Sequence, residues 1–312
     1  MFSAHMDTVP TCIGSKPVKK GDVIQSANPD SGLGADDRAG IAAILSAALN
    51  IVEQKLPHPP LTFLFSIQEE IGLHGARLVS KKSLGNPKLA FNWDGGFPGK
   101  LTIGATGGYR MSIGVDGVPS HAGVAPQWGV SAIAIASLAI ADLHRNGWHG
   151  SITKGRKKGT SNIGIIEGGN ATNVVTDKVF IRAEARSHNA AFRRRIVREI
   201  ERAFNRAVKE VKSVDGKMGA IHFDGQLDYE SYKLTANNPS VVAAAKVVRS
   251  MGEEVLLAVA DGGLDANWLN VRGIPTVSLG CGQRNAHMLN EELDIANFFM
   301  ACRLALRLAT DS

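Results

Sequence analysis

The sequence predicts an α/β domain interrupted by a second unit of ferredoxin-like order. Three observations predict it. Short apolar runs rich in β-branched and aromatic residues end in an acid and a turn, as in LTFLFSIQEE (Leu61 to Glu70) and LAFNWDGG (Leu89 to Gly96). Segments of helical period follow such runs, as in Ile41 to Gln54. From Tyr109 the texture changes to alternating strands around two helices, in the order β-α-β-β-α-β, which is a ferredoxin-like unit by itself. The expected division is residues 1–107 and 230–312 for the α/β domain and 108–229 for the inserted one.

Composition narrows the function classes. The 312 residues are 44% hydrophobic, ample for a globular core, and 35 Lys+Arg against 29 Asp+Glu give a net charge of +6. The basic residues gather only at Lys154 to Lys158 and Arg193 to Arg195, and aromatics are too sparse to interleave with them. Both runs read as solvated faces, and nucleic-acid binding is not expected. Cys12, Cys281 and Cys302 are odd in number and widely separated, which suggests neither a disulfide framework nor a thiolate metal site and makes a reducing, cytoplasmic setting the default. The start has no signal-peptide pattern, and Val130 to Leu143 is too short to span a bilayer, so no membrane partner is expected.

Leu61 to Ile67 reads as a buried strand, bounded upstream by Pro57, Pro59 and Pro60 and ending in Gln68, Glu69 and Glu70. Ligands collect at the carboxyl ends of strands in open α/β sheets, so two adjacent acids there read either as a metal site, one acid binding and the other moving protons, or as a solvated helix start. His5 and Asp7 share one face if extended, although Phe2 to Pro10 holds too few residues for a full leading strand. A His beside a carboxylate is a metal-ligand arrangement or merely structural. Asn28 to Gly40 is a Gly- and Asp-rich loop leading into the helix at Ile41, with Asp36 and Asp37 at its N-terminus, where Asp37 serves a site or a cap. Asp94 ends another apolar run.

In the middle stretch, Arg110 to Gly117, Ser161 to Glu167, Lys178 to Arg186 and Ala220 to Leu227 read as strands, Val130 to His144 and Ala190 to Val211 as helices, and Gly147 to Gly159 as a polar loop. The chain then resumes with a helix at Asn238 to Met251, an apolar run at Val255 to Ala260, the acidic turn Asp261 to Asp265, a buried strand at Ile274 to Leu279, and His287 in a glycine-bounded loop.

Together the segments SAHMDTVP, GLGADDRAGIAAIL, FSIQEEIGLHGA, FNWDGG, SHAGVAPQWGVSAI, EGGNATNVV, IRAEARSHN and NAHMLNE resemble the co-catalytic metallopeptidases that include peptidase T, glutamate carboxypeptidase and the aminoacylases. The peptidase T-like branch is nearest in GGNATNVV and AEARSHN. The resemblance implies an α/β, mixed-sheet zinc-peptidase catalytic domain with an inserted ferredoxin-like lid and dimerisation domain. It implies two divalent ions, zinc or else cobalt or manganese, bridged by Asp36, with His5 and Asp94 completing one and Glu70 and His287 the other. It makes Glu69 the catalytic base, Asp7 the group that orients His5, and His121 an oxyanion donor that in dimeric relatives comes from the partner subunit. Asn173 and Arg186 would hold a substrate carboxylate, and the Asp36–Asp37 peptide would be cis. The activity implied is hydrolysis of short peptides, most simply release of the N-terminal residue of a tripeptide. An aminoacylase or other amide hydrolase, and a non-catalytic dimerising remnant, are the alternatives. The family has a helix and at least one strand before the HMD strand, so the resemblance also implies a leading unit missing here, whose loss would expose apolar surface.

Overall fold

The computed structural model describes residues 1–311. In chain order the first elements are β1 (Phe2–His5), β2 (Pro17–Lys20), β3 (Val23–Ser26), α1 (Ala35–Gln54), β4 (Phe63–Ser66), α2 (His74–Leu78), β5 (Ala90–Trp93) and β6 (Lys100–Ala105). Next come β7 (Gly107–Asp116), α3 (Ala132–Arg145), β8 (Gly150–Lys154), β9 (Lys157–Gly168), β10 (Lys178–Ser187), α4 (Ala190–Glu210) and β11 (Ala220–Tyr229). The last are β12 (Tyr232–Lys233), α5 (Pro239–Ser250), β13 (Leu256–Ala260), α6 (Asp265–Val271), β14 (Thr276–Leu279), β15 (Gln283–Arg284), β16 (Glu292–Asp294) and α7 (Ile295–Thr310). The chain divides into two compact units, one of Met1–Ala105 with Tyr232 onward and one of Thr106–Ser231. Among the described residues no helix is long and apolar enough to cross a membrane.

The first unit is built on a seven-stranded mixed sheet of order β12-β6-β14-β5-β1-β4, with β13 pairing β6. Strands β4, β1, β5 and β14 run parallel, whereas β6 is antiparallel to β14. Four residues suffice for β1 because it lies inside the sheet, its backbone paired on both sides, so the expectation of an incomplete leading strand is corrected. Pleating sorts its side chains. Phe2 and Ala4 face the main core with Phe91 and Trp93, packed with α1 and α7, and the Phe2 ring meets Trp93 edge-on at 5.0 Å between centroids. Ser3 and His5 point to the other face, in register with Asn92 and, two residues on, Asp94. On that face Met1, Ala90, Leu269 and Ile274 form a smaller apolar cluster at the amino ends of the strands. A polar row follows, in which Ser3 Oγ donates to Asn92 Oδ1 at 2.9 Å and Asn92 Nδ2 donates to Ser278 Oγ at 3.3 Å. The face therefore grades from apolar to polar to ionisable toward the strands' carboxyl ends. A separate antiparallel sheet of order β15-β16-β3-β2 flanks the loop before α1.

The second unit is a five-stranded antiparallel sheet of order β11-β7-β10-β9-β8 with its own apolar core under α3 and α4. Strand β10 alternates, Val179, Ile181, Ala183 and Ala185 facing the helices and Phe180, Arg182, Glu184 and Arg186 the other side. The polar loop expected at 147–159 is instead the β8–β9 hairpin, with Lys154 opposite Lys157 and Gly155 in the left-handed region at φ 63°. Its order is thus β-α-β-β-β-α-β, one strand more than expected. An edge hairpin wet on one face and studded with lysines has the composition of a loop.

Two local features seat the loop and helix at Asp36. A Cβ on Gly40 would lie 2.4 Å from Asp37 Oδ1 and 2.5 Å from the Trp93 carbonyl, so only glycine lets α1 approach β5. Glu291, 1% exposed, accepts from the Gly34 N–H at 2.5 Å through Oε2 and from the Asp36 N–H at 2.9 Å through Oε1. We expect Gly40→Ala to lower unfolding free energy by about 1–3 kcal/mol through overpacking. Glu291→Ala should cost about 2–5 kcal/mol, because two buried N–H groups lose their acceptor. Urea midpoints at constant m-value check both, and an unchanged midpoint in either would contradict the contact assigned.

Candidate metal centre

Five of the sequence-predicted residues converge at the carboxyl ends of the parallel strands. His5 closes β1, Asp94 follows β5, Asp36 heads α1, Glu70 follows β4, and His287 lies in the loop before β16 at φ 68°. Their donor atoms form two groups. His5, Asp36 and Asp94 each place one ligand atom within 4.8 Å of the others, and so do Asp36, Glu70 and His287. Asp36 belongs to both groups: Oδ1 is 3.2 Å from His5 Nε2 and Oδ2 is 3.3 Å from His287 Nε2. His287 Nε2 is also 3.0 Å from Glu70 Oε2. Donors bonded to one tetrahedral ion at about 2.0–2.2 Å stand roughly 3.3 Å apart, so these separations suit a divalent cation.

The local chain explains each orientation. Nδ1 of His5 donates to the Asp7 main-chain carbonyl at 2.9 Å, which turns Nε2 toward Asp36 Oδ1, 3.2 Å away, so that Nε2 is the nitrogen that would face an ion. Asp7 thus orients His5 through its backbone, its carboxylate Oδ1 standing 3.7 Å from the ring. That carboxylate is engaged elsewhere, accepting from the Glu69 N–H at 3.0 Å and the Glu70 N–H at 3.1 Å. Gln68, in the left-handed region at φ 57°, makes the turn that presents these amides. The Asp36–Asp37 peptide is cis, and Asp37 is no cap: its Oδ2 accepts from the His5 N–H at 3.1 Å.

The electrostatics ask for positive charge. Burial, then the neighbouring Asp94, pushes the Glu69 carboxyl well above its usual range. Burial, then Asp36, raises Glu70, and burial with the same Asp36 charge pushes Asp94 up to about 7. His5 goes the other way: against its burial, Asp36 and the charges of Asp37, Asp94 and Glu69 push it up to about 12. His287, bonded first to Asp36, is pushed up to about 9. Oε1 of Glu70 is buried with no partner. Buried carboxylates crowded around two imidazoles could hold a cation, and imidazole and carboxylate donors without thiolate suit zinc, cobalt or manganese alike. Glu69, 9% exposed, lies beside these donors but in neither group.

Reading the sequence missed two buried acids here. Asp265 opens α6 and accepts from Ser66 Oγ, Ser66 being in register with His5, and burial pushes it up to about 6. Its signal was the DGGLD turn at a strand end. Glu291 lay within NAHMLNE, where His287 drew the attention.

The other three predicted residues lie in the second unit. His121 is exposed, and its Nδ1 accepts from the Gly123 N–H at 3.2 Å and the Val124 N–H at 3.1 Å. In the neutral ring the proton is therefore on Nε2, which can donate outward. Asn173 is exposed, and its carbonyl takes the Ala122 N–H at 2.9 Å, next to His121. The Arg186 guanidinium is held by Glu184, with Nε to Oε1 at 2.8 Å and Nη2 to Oε2 at 3.0 Å.

The chain is similar to known proteins over most of its length. YqjE of Bacillus subtilis is 30% identical over 312 residues, covering 100% of this chain and 80% of that protein. Peptidase T of Serratia proteamaculans is 26% identical over 289 residues, 89% of this chain, which spans 65% of that enzyme. The crystal structure of a tripeptidase from Staphylococcus aureus superposes with a TM-score of 0.88 at 32% identity, over 99% of this chain and 79% of that one. The family model for peptidase family M20/M25/M40 matches residues 1–311, and the chain belongs to that family.

Proposed function

We propose that this chain is a two-metal exopeptidase that releases the N-terminal residue of short peptides, tripeptides above all. The observation that carries the reading is the pair of three-donor groups sharing Asp36. His5, Asp36 and Asp94 would hold one ion and Asp36, Glu70 and His287 the other, zinc being our first choice and cobalt or manganese acceptable to the same donors. Ions bound there supply Lewis acidity toward a scissile carbonyl and toward water. The rest falls to side chains. Glu69, buried beside the donors but outside both groups, takes the proton of the attacking water and passes it to the departing amine. Asp7 fixes the two amides on either side of that role, so the base and the ligand Glu70 are set by one turn.

In the second unit, His121 is the candidate oxyanion donor, supported by the Nδ1 hydrogen bonds that leave its proton on Nε2. Asn173 and Arg186 are the candidate carboxylate-binding pair, Arg by its planar fork. We propose that this unit also serves as lid and homodimer contact, for which the exposed Val124, Trp128, Ile165 and Ile166 are the support. A cytoplasmic setting is part of the same reading, its three cysteines being free. The similarity of this chain to a tripeptidase is what favours a peptide over an N-acylated amino acid as substrate.

Glu69→Gln is expected to keep its metal content, measured by plasma mass spectrometry, while kcat on a tripeptide falls roughly 10²- to 10⁴-fold. A variant that turns over within a few-fold of the parent would remove Glu69 as the base.

A further inference from the structure

We propose that Glu184 is a positioning residue that holds the Arg186 guanidinium side-on and leaves its end-on edge open for a peptide's terminal carboxylate. The inference rests on the reading of Arg186 as the carboxylate clamp. Both residues lie on the face of β10 turned away from α3 and α4, two positions apart, with side chains 34% and 32% exposed. Glu184 takes the Nε–H and one Nη2–H, a bidentate contact along one side of the guanidinium. A guanidinium has five N–H donors in a plane. The two on Nη1 and the second on Nη2 form another fork at the tip, and among the described residues no other acceptor meets it.

The surroundings support a dedicated pair. Arg110, opposite Glu184 on β7, is matched by its own acid, its Nε being 2.8 Å from Asp228 Oδ2. The hydrogen bonds of Arg186 go to Glu184, and the charge of Asp228 also bears on Arg186. Opposite Arg186 stands Gly108, and Tyr229 of β11 closes over it, since a Cβ there would lie 2.8 Å from the Tyr229 ring. Tyr229 is 5% exposed and walls one side of the arginine's strand position. A free arginine visits many rotamers, and ordering it on binding weakens the complex. Glu184 imposes that order beforehand. The opposing effect is that its negative charge repels a second carboxylate, so the two roles differ in sign.

The experiment measures KM and kcat of the metal-loaded enzyme on a tripeptide and on its C-terminal amide, for the parent, Glu184→Ala, Glu184→Gln, Arg186→Ala and the double alanine variant. Glu184→Ala is expected to raise KM for the free acid roughly fivefold, with the amide changing far less. Glu184→Gln, which keeps one acceptor for Nε, should fall between parent and alanine. The effect should vanish when Arg186 is already alanine. A fall in KM in Glu184→Ala would make Glu184 a competitor, and equal losses on acid and amide would make it structural; either result overturns the proposal. If Arg186→Ala is selective for the free acid and Glu184→Ala is silent, positioning fails and the clamp stands. If Arg186→Ala is not selective, both fall.

Discussion

The mutual repulsion of buried carboxylates at the strand ends is the constraint on which the rest of the first unit depends. Asp36, Asp37, Glu69, Asp94 and Asp265 are largely removed from water within one small volume, with Glu70 partly so, and His5 and His287 offset them. Unneutralised, such a group takes up protons or opens. Every acid but Asp36 in that set is raised, and Asp36 is held well below its usual range, against its burial, by hydrogen bonds from His287 and His5. Two divalent ions would replace those protons and reverse the sign of the interaction, which makes metal binding and stability of this edge one equilibrium.

The scaffold answers the same constraint with main-chain and neutral groups. Asp37 is spent on the His5 amide, the Asp7 carboxylate on the Glu69 and Glu70 amides, and Glu291 on the Gly34 and Asp36 amides. Each of these acids fixes a segment that carries a donor. The row Ser3, Asn92 and Ser278 beneath them is neutral and hydrogen-bonded across three strands, so the ionisable layer does not rest directly on the apolar cluster at Met1 and Leu269.

Much of this was legible because the donors sit where periodicity breaks. An apolar strand that ends in Glu69 and Glu70, or in Asp94, announces an acid that the core cannot hold, whereas HMD and NAH each read singly as structural and took ligand roles only through the resemblance of the ordered set to a known family. The mixed α/β architecture followed from the same runs. What stayed hidden was set by partners distant in sequence. Glu291 meets Asp36 across 255 positions with nothing local to mark it, and Asp265 meets Ser66 across 199, the DGGLD turn marking the acid but not its partner. The carboxylate of Asp7 was assigned to His5 from their spacing, whereas three dimensions give it to two amides sixty residues away. The β8–β9 hairpin was hidden for another reason, its lysines being those of a protected sheet edge as much as of a loop.

Metal stoichiometry tests the central claim most directly. The purified chain, stripped by chelation and titrated with zinc, cobalt or manganese in a calorimeter, is predicted to bind two ions per chain, and Asp36→Ala, which removes the donor common to both groups, to lose both. One ion per chain, or two that persist in Asp36→Ala, would contradict a shared two-ion centre.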